Sequence, residues 1–197
     1  MMINMTLPSK NKGIIIILSA PSGCGKSTIA KALIDRDNNL KPSISATTRL
    51  PREGEIEGVN YYFKTKEQFE QLIKHDMFLE YTIIYGNYYG TLKLQVEQLL
   101  ENGLDVIFAI DREGAKVLKS QLPKVVTIFI LPPSMDVLEK RINSRGADSA
   151  SEVKLRMESA AAEMAYSKEY DYIVVNDNFT DTITAIHSII KSAKAVK

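Results

Sequence analysis

The stretch Ile14-Ile15-Ile16-Ile17-Leu18-Ser19-Ala20-Pro21-Ser22-Gly23-Cys24-Gly25-Lys26-Ser27-Thr28 decides how the chain is read. Its apolar, mostly β-branched opening reads as a strand covered on both faces, and the residues from Lys26 onward read as the start of a helix. Between the two, Gly23 and Gly25 let the backbone curl, so that the N–H groups of Gly23–Thr28 and the helix N-terminus converge on phosphate oxygens. Lys26 adds a mobile positive charge and Ser27 a hydroxyl that can ligate Mg²⁺. The usual phosphate-loop pattern begins with Gly, where this chain has Ala20, so an ordinary strand–turn–helix is the alternative reading.

Outward from this loop, the chain alternates short apolar runs with amphipathic segments, which predicts an α/β fold built on a parallel sheet. Further buried strands are expected at Asp105–Ile110, Val125–Leu131 and Asp171–Val175. Helices are expected at Lys26–Asp35, Leu92–Glu101, Glu113–Leu122 and Ser134–Asn143, and Ile183, Ile186, Ile189 and Ile190 stripe a last one. Ser134, Thr65 with Gln68, and Ser149 with Glu152 carry helix-start spacings. Two regions break the rhythm. One, about 45–91, is rich in Tyr, Gly and Arg, with alternating runs at Val59–Phe63 and Phe78–Ile84, and reads as a small strand-rich insertion. The other, about 135–159, is charged and mostly helical and reads as a mobile flap on the sheet.

The 197 residues carry 25 basic and 24 acidic side chains and are 45% hydrophobic, which excludes a disordered chain and a basic nucleic-acid coat. Cys24 is the single cysteine, so no internal disulfide is available. The apolar run Ile14–Leu18 is far too short to span a bilayer and no signal-peptide pattern precedes it. Together these point to a single-domain cytoplasmic protein with no membrane partner.

A second constellation is Ser45-Ala46-Thr47-Thr48-Arg49-Leu50-Pro51-Arg52-Glu53-Gly54-Glu55, followed by Gly58, Tyr61 and Tyr62. Arg49 and Arg52 can converge on one anion, because a guanidinium presents a planar fork of donors that fits phosphate; a solvated loop with two arginines is the alternative. Seven arginines stand in the chain, and five of them, Arg49, Arg52, Arg141, Arg145 and Arg156, fall in the two irregular regions. Arg141 and Arg145 share a helical face and Arg156 enters from the next helix, which reads as a basic lid or as a solvated helix pair. His75 and His187 lie away from every motif and carry no expected role.

These motifs, in order, resemble the guanylate kinase family of bacterial type over essentially the whole chain. The resemblance is carried by the phosphate loop, the Ser45–Glu55 run with Gly58 and Tyr61, Phe78-Leu79-Glu80, Gly86-Asn87-Tyr88-Tyr89-Gly90-Thr91, Ile110-Asp111, the Arg141, Arg145-Gly146 and Arg156 set, and Val175-Asn176-Asp177. It implies a phosphate-loop NTPase core at about 12–44, 92–134 and 160–197, a GMP-binding insertion at about 45–91 and a helical lid at about 135–159. It implies transfer of the γ-phosphate of ATP to GMP, and to dGMP, with Mg²⁺ as cofactor, in purine metabolism and GTP supply; it allows for a homodimer. On its terms Arg49, Arg52, Tyr61 and Tyr89 clamp the GMP phosphate, and Ser45, Glu80, Thr91 and Asp111 read guanine. The ATP side falls to the Ala20–Thr28 loop with Pro21, Ser22, Cys24 and Lys26, to Arg141 and Arg145, and to Asn176 near adenine, with Arg156 between the phosphates.

The chain departs from the family at Phe108-Ala109-Ile110-Asp111, where Ala109 replaces an expected acid, and at the Arg112-Glu113 pair, where a Gln is usual. Two rivals remain open on the residues: a module of the same fold that grips a phosphorylated peptide, and a sister kinase acting on a sugar phosphate. The complete ATP half argues against the first, and Tyr61, Glu80 and Thr91 as a base-reading set argue against the second. Cys24, beside Lys26 at a helix N-terminus, is expected to favour a thiolate open to thiol reagents and protected by ATP; an inert small residue is the alternative.

Overall fold

The computed structural model describes residues 13–84, 86–122, 124–143 and 150–195. In chain order the elements are β1 (Ile15–Ser19), α1 (Lys26–Arg36), β2 (Leu40–Pro42), β3 (Ser45–Thr47), β4 (Tyr62–Phe63), α2 (Lys66–Lys74), β5 (Phe78–Ile84) and β6 (Asn87–Leu92). Then follow α3 (Lys93–Glu101), β7 (Asp105–Ala109), α4 (Arg112–Gln121), β8 (Val125–Leu131), α5 (Met135–Asn143), α6 (Ala150–Ala165), a 3₁₀ turn (Tyr166–Glu169), β9 (Tyr172–Val175) and α7 (Phe179–Ala195).

Five strands form a parallel sheet in the order β2-β7-β1-β8-β9. The apolar run at its centre works as expected. Ile14, Ile16 and Leu18 face one core cluster, with α1, α5, α6 and α7, while Ile15 and Ile17 face the other, with α3 and α4. Strand β1 therefore lies where the connections diverge to β7 on one side and β8 on the other, the position at which ligands meet the carboxyl ends of open α/β sheets.

The insertion is a second sheet, β4-β3-β6-β5, packed on α2 through Phe69, Phe78 and Ala46. Phe69 stacks on Phe78 at 4.3 Å and on Tyr88 at 5.0 Å between ring centroids. Thr65 and Gln68 form the reciprocal cap of α2: Gln68 N donates to Thr65 Oγ1 at 3.2 Å and Thr65 N to Gln68 Oε1 at 2.9 Å. Ser134 caps α5 through Val137 N at 3.2 Å, whereas Ser149 lies outside the described residues.

Strands β2, β3 and β6 escape the sequence reading. Strand β6 looks like a Gly- and Tyr-rich turn but is an inner strand of the insertion, because Gly90 admits a close approach: a Cβ there would stand 2.8 Å from Tyr81 Cβ and 2.9 Å from Glu80 O. Strand β2 is three residues ending in Pro42, tolerated because it is an edge strand. Among the described residues, no helix is long and apolar enough to cross a membrane.

Candidate active site

The phosphate loop joins β1 to α1 through two residues at positive φ, Gly23 at 93° and Gly25 at 82°, a conformation that favours glycine. Gly23 is also wedged against α5: a Cβ there would meet Ile142 Cγ1 at 2.9 Å. Asn176, at the end of β9, holds the loop from the other side. Its Nδ2 donates to Cys24 O at 3.0 Å, its Oδ1 accepts from Thr182 Oγ1 at 3.2 Å, and its own carbonyl accepts from Arg141 Nη2 at 3.0 Å. A cavity of about 310 Å³ opens beside them, lined by Gly23, Gly25, Thr28, Arg141, Asn176 and Phe179 among others. Such a volume fits the lower end of the range for small-molecule pockets.

Lys26 Nζ donates to Ile110 O at 2.8 Å, and Ser19 Oγ donates to the same carbonyl at 3.2 Å. Burial pushes the Lys26 ammonium below its ordinary pKa, while the Asp111 and Glu163 carboxylates oppose that shift. Ser27 and Thr28 are exposed in the first turn of α1. Arg156, on α6, donates from Nη2 to Ser22 Oγ at 2.8 Å, which brings that helix onto the loop. Arg145 lies outside the described residues.

Cys24 corrects the expectation of a reactive thiolate. Its side chain is fully buried, and burial drives the thiol up to about 11, with the Arg141 charge too weak an opponent. The helix N-terminus and the nearby lysine favour a thiolate only where water can reach the sulfur.

At the insertion, the strand register lines up two rows of side chains. Ser45, Thr91 and Glu80 are cross-strand neighbours, as are Thr47, Tyr89 and Thr82. An irregularity between Phe78 and Glu80 breaks the alternation of β5, so that Phe78, Leu79 and Glu80 are all buried. Thr91 Oγ1 donates to Glu80 Oε1 at 2.8 Å. Burial raises the Glu80 carboxyl to about 7; the Thr91 hydroxyl works against this and the Asp111 charge adds to it. Asp111 caps α4, accepting from Gly114 N at 2.8 Å, and the other Glu80 oxygen lies 3.4 Å from where a Gly114 Cβ would stand. Glu80, Thr91 and Asp111 are thus gathered at the first turn of α4.

Arg49 is held by Glu55, with Nη2 at 2.7 and 2.9 Å from its two oxygens, and lies 5.3 Å from the Tyr61 ring centroid. Tyr61 meets Tyr89 edge-on at 6.0 Å. Arg52 is exposed, and its backbone N–H donates to Glu55 Oε2 at 2.7 Å. Arg49, Tyr61 and Tyr89 therefore form one cluster, with Arg52 at its rim. Glu55 is the residue that sequence reasoning passed over. It stands in the same run as both arginines, and a carboxylate among arginines is a signal for an ion pair that organises them. Ser19 and Gly114 carry no signal, since their roles arise only when β7 and β5 come alongside. Ala109 ends β7 in register with Leu18. Among the described residues, no group of three or more His, Cys, Asp or Glu could hold a metal ion. Of the two histidines, His75 reaches Gln71 O at 2.8 Å and His187 lies 3.5 Å from Asp37.

The family model for guanylate kinase matches residues 12–193. Guanylate kinase of Rickettsia felis is 60% identical over 181 residues, covering 92% of this chain and 94% of the relative. That of Clostridium perfringens is 48% identical, covering 93% and 85%. A crystal structure of guanylate kinase from Anaplasma phagocytophilum superposes with a TM-score of 0.76 at 33% identity, covering 94% of this chain and 88% of that one. A sugar kinase from Janibacter superposes with a TM-score of 0.52 at 15% identity, over 93% and 98% of the two chains, a likeness of fold alone. With the phosphate loop, the buried carboxylate of the insertion and this match along nearly the whole length, the chain belongs to the guanylate kinase family.

Proposed function

We propose that the protein transfers the γ-phosphate of ATP to GMP, giving ADP and GDP, and that it accepts dGMP because none of the residues assigned to base or phosphate requires the 2′-hydroxyl. The observation that carries this reading is the pairing at the end of β7: Ile110 O accepts from Lys26 of the phosphate loop, and the next residue, Asp111, sits beside the buried Glu80–Thr91 pair. A donor half and a guanine-reading half meet at adjacent residues. Guanine presents N1–H and the 2-amino group side by side, and one ionised carboxylate accepts from both; adenine offers neither donor there. Arg49, Arg52, Tyr61 and Tyr89 hold the GMP phosphate, and Ser45 and Thr91 address O6.

No general base is needed. The second ionisation of a phosphate monoester lies near ~6, so GMP arrives largely dianionic and nucleophilic at neutral pH. What remains is to align two polyanions and to neutralise charge on the transferring group, the work of Lys26, the Gly23–Thr28 amides and Arg141 and Arg156 as lid arginines. Mg²⁺ is carried by the nucleotide phosphates, with the exposed Ser27 hydroxyl as the chain's ligand. Bound there, Mg²⁺ supplies charge neutralisation of the phosphates. The reading assigns the reaction to the cytoplasm, in guanine-nucleotide supply, and it allows for a homodimer.

A coupled assay with ATP and GMP, dGMP, AMP or ribose bisphosphate tests the reading. Turnover of GMP and dGMP with little on AMP is expected. Preference for ribose bisphosphate, or no turnover of any acceptor, overturns it.

A further inference from the structure

The first turn of α4 breaks two local rules at one residue. Arg112 sets a cation at the positive end of a helix dipole, where an acid such as Glu113 belongs. Its Nε is buried with no acceptor in reach among the described residues. Conflicts of this kind concentrate where function overrides local preference. What holds the side chain there is a stack: the guanidinium lies 3.2 Å from the centroid of the Tyr166 ring, while Nη1 pairs with Glu113 at 2.9 Å. Flat stacking on a ring is available to arginine and not to lysine.

Tyr166 is the residue at which α6 gives way to the 3₁₀ turn. The same helix α4 fastens the other end of that turn, because Lys119 Nζ donates to Glu169 O at 2.7 Å. Helix α6, whose far half carries Arg156 against Ser22 of the phosphate loop, is thereby jointed to the core through two contacts from α4. The first of these contacts comes from the residue next to Asp111.

We infer that Arg112 is a positioning residue for phosphoryl transfer: its stack on Tyr166 sets the angle at which α6 meets the core and so where Arg156 meets the phosphates. The inference rests on the lid role proposed for Arg156. A long helix amplifies a small rotation at its base, and charge stabilisation in the transition state is sensitive to displacements of about 1 Å. Binding of GMP, by contrast, draws mainly on the sheet of the insertion; Asp111 is the group it shares with this helix, and the Tyr166 variants leave that residue untouched.

The test compares Arg112→Gln, Arg112→Lys, Tyr166→Leu, Tyr166→Phe, the Arg112→Gln/Tyr166→Leu pair and Arg156→Ala, reading kcat, KM for GMP and Tm. Arg112→Gln, Arg112→Lys and Tyr166→Leu are each expected to lower kcat about 5–20-fold with KM for GMP within about twofold. The double variant should fall no further than the worse single one, because both remove the same contact. Tyr166→Phe, which keeps the ring, should stay within about twofold of wild type. A purely structural clamp would lower Tm and leave kcat in place, which overturns the inference, as do losses that multiply in the double variant. Arg156→Ala separates the two readings. If it lowers kcat while Arg112→Lys does not, the joint alone is wrong; if it leaves kcat unchanged, the lid reading and the joint fall together.

Discussion

Glu80 has its carboxyl raised to about 7 chiefly by burial, which makes both its stability and its chemistry depend on pH. Between the ordinary carboxyl value of 4.5 and about 7, the folded protein holds a proton that the unfolded chain has released, so stability falls as pH rises through this window. Below it both states are protonated and above it neither is. Glu80→Gln, which cannot ionise, is expected to gain up to about 3 kcal/mol over wild type at pH 8 and nothing near pH 4, read as Tm at both pH values. Under the proposed base-reading role function runs the other way, since guanine is then held by the ionised carboxylate. Lowering the pH from 8 to 6 should raise KM for GMP about tenfold, beyond the roughly twofold effect of the substrate's own ionisation near ~6, with KM for ATP little changed. Glu80→Ala should cost about 2–4 kcal/mol in kcat/KM for GMP and erode the preference over AMP. A mutant that still discriminates as wild type does would remove Glu80 from base reading. At Cys24 the expectation is inertness: stoichiometric thiol reagent at neutral pH should leave the native protein unmodified and active, and label it only on unfolding. Both residues show why the sequence is read incompletely at this scale. The letters Cys24 and Glu80 are visible, but burial, which drives each pKa, is a property of what packs around them.

The elements that carry the proposed lid arginines are α5 and α6, which bring Arg141 to Asn176 O and Arg156 to Ser22 Oγ. If these arginines act on charge that develops in the transition state, Arg141→Ala and Arg156→Ala should each lower kcat about 10²–10³-fold with a much smaller rise in KM for GMP. Wild-type kcat in both would end the role. Strand β6 offers a test on the acceptor side. Ala at Gly90 would press its Cβ against Tyr81 and the backbone of Glu80, so Gly90→Ala should destabilise the protein by about 1–3 kcal/mol and raise KM for GMP while sparing KM for ATP. Denaturant unfolding and steady-state kinetics read the two effects. Helices and central strands were legible because their periodicity repeats over five residues or more, as in Ile183, Ile186 and Ile190 on α7. Strand β6 was not, because two tyrosines and a glycine signal a turn until a partner strand is laid against them.

For the molecule as a whole, Asp105 ties chain segments that lie far apart in sequence. It is 2% exposed and accepts from Ile14 N at 2.9 Å, Asn39 Nδ2 at 3.0 Å and Lys194 Nζ at 2.9 Å, joining the start of the central strand, the loop before β2 and the last helix. Asp105→Ala leaves a buried N–H without its acceptor and should cost about 2–4 kcal/mol of stability, with kcat of the folded fraction unchanged; denaturant midpoint and active-site-normalised kinetics check it. Its importance was invisible in the sequence, where it is only the polar first residue of a strand. The sequence by itself determined the parallel α/β core, the phosphate loop at the end of β1 and the residue types at both halves of the site. These depend on local periodicity and on backbone needs met within a few positions, as with Gly23 and Gly25. Only the tertiary structure decided that Glu55 organises Arg49, that Cys24 is shut away from water, that Glu80 is buried against Thr91 and that Arg112 stacks on Tyr166. Each of these is a contact or a burial between elements, and the free energy of such an arrangement belongs to the packing and cannot be assigned to any one stretch of chain.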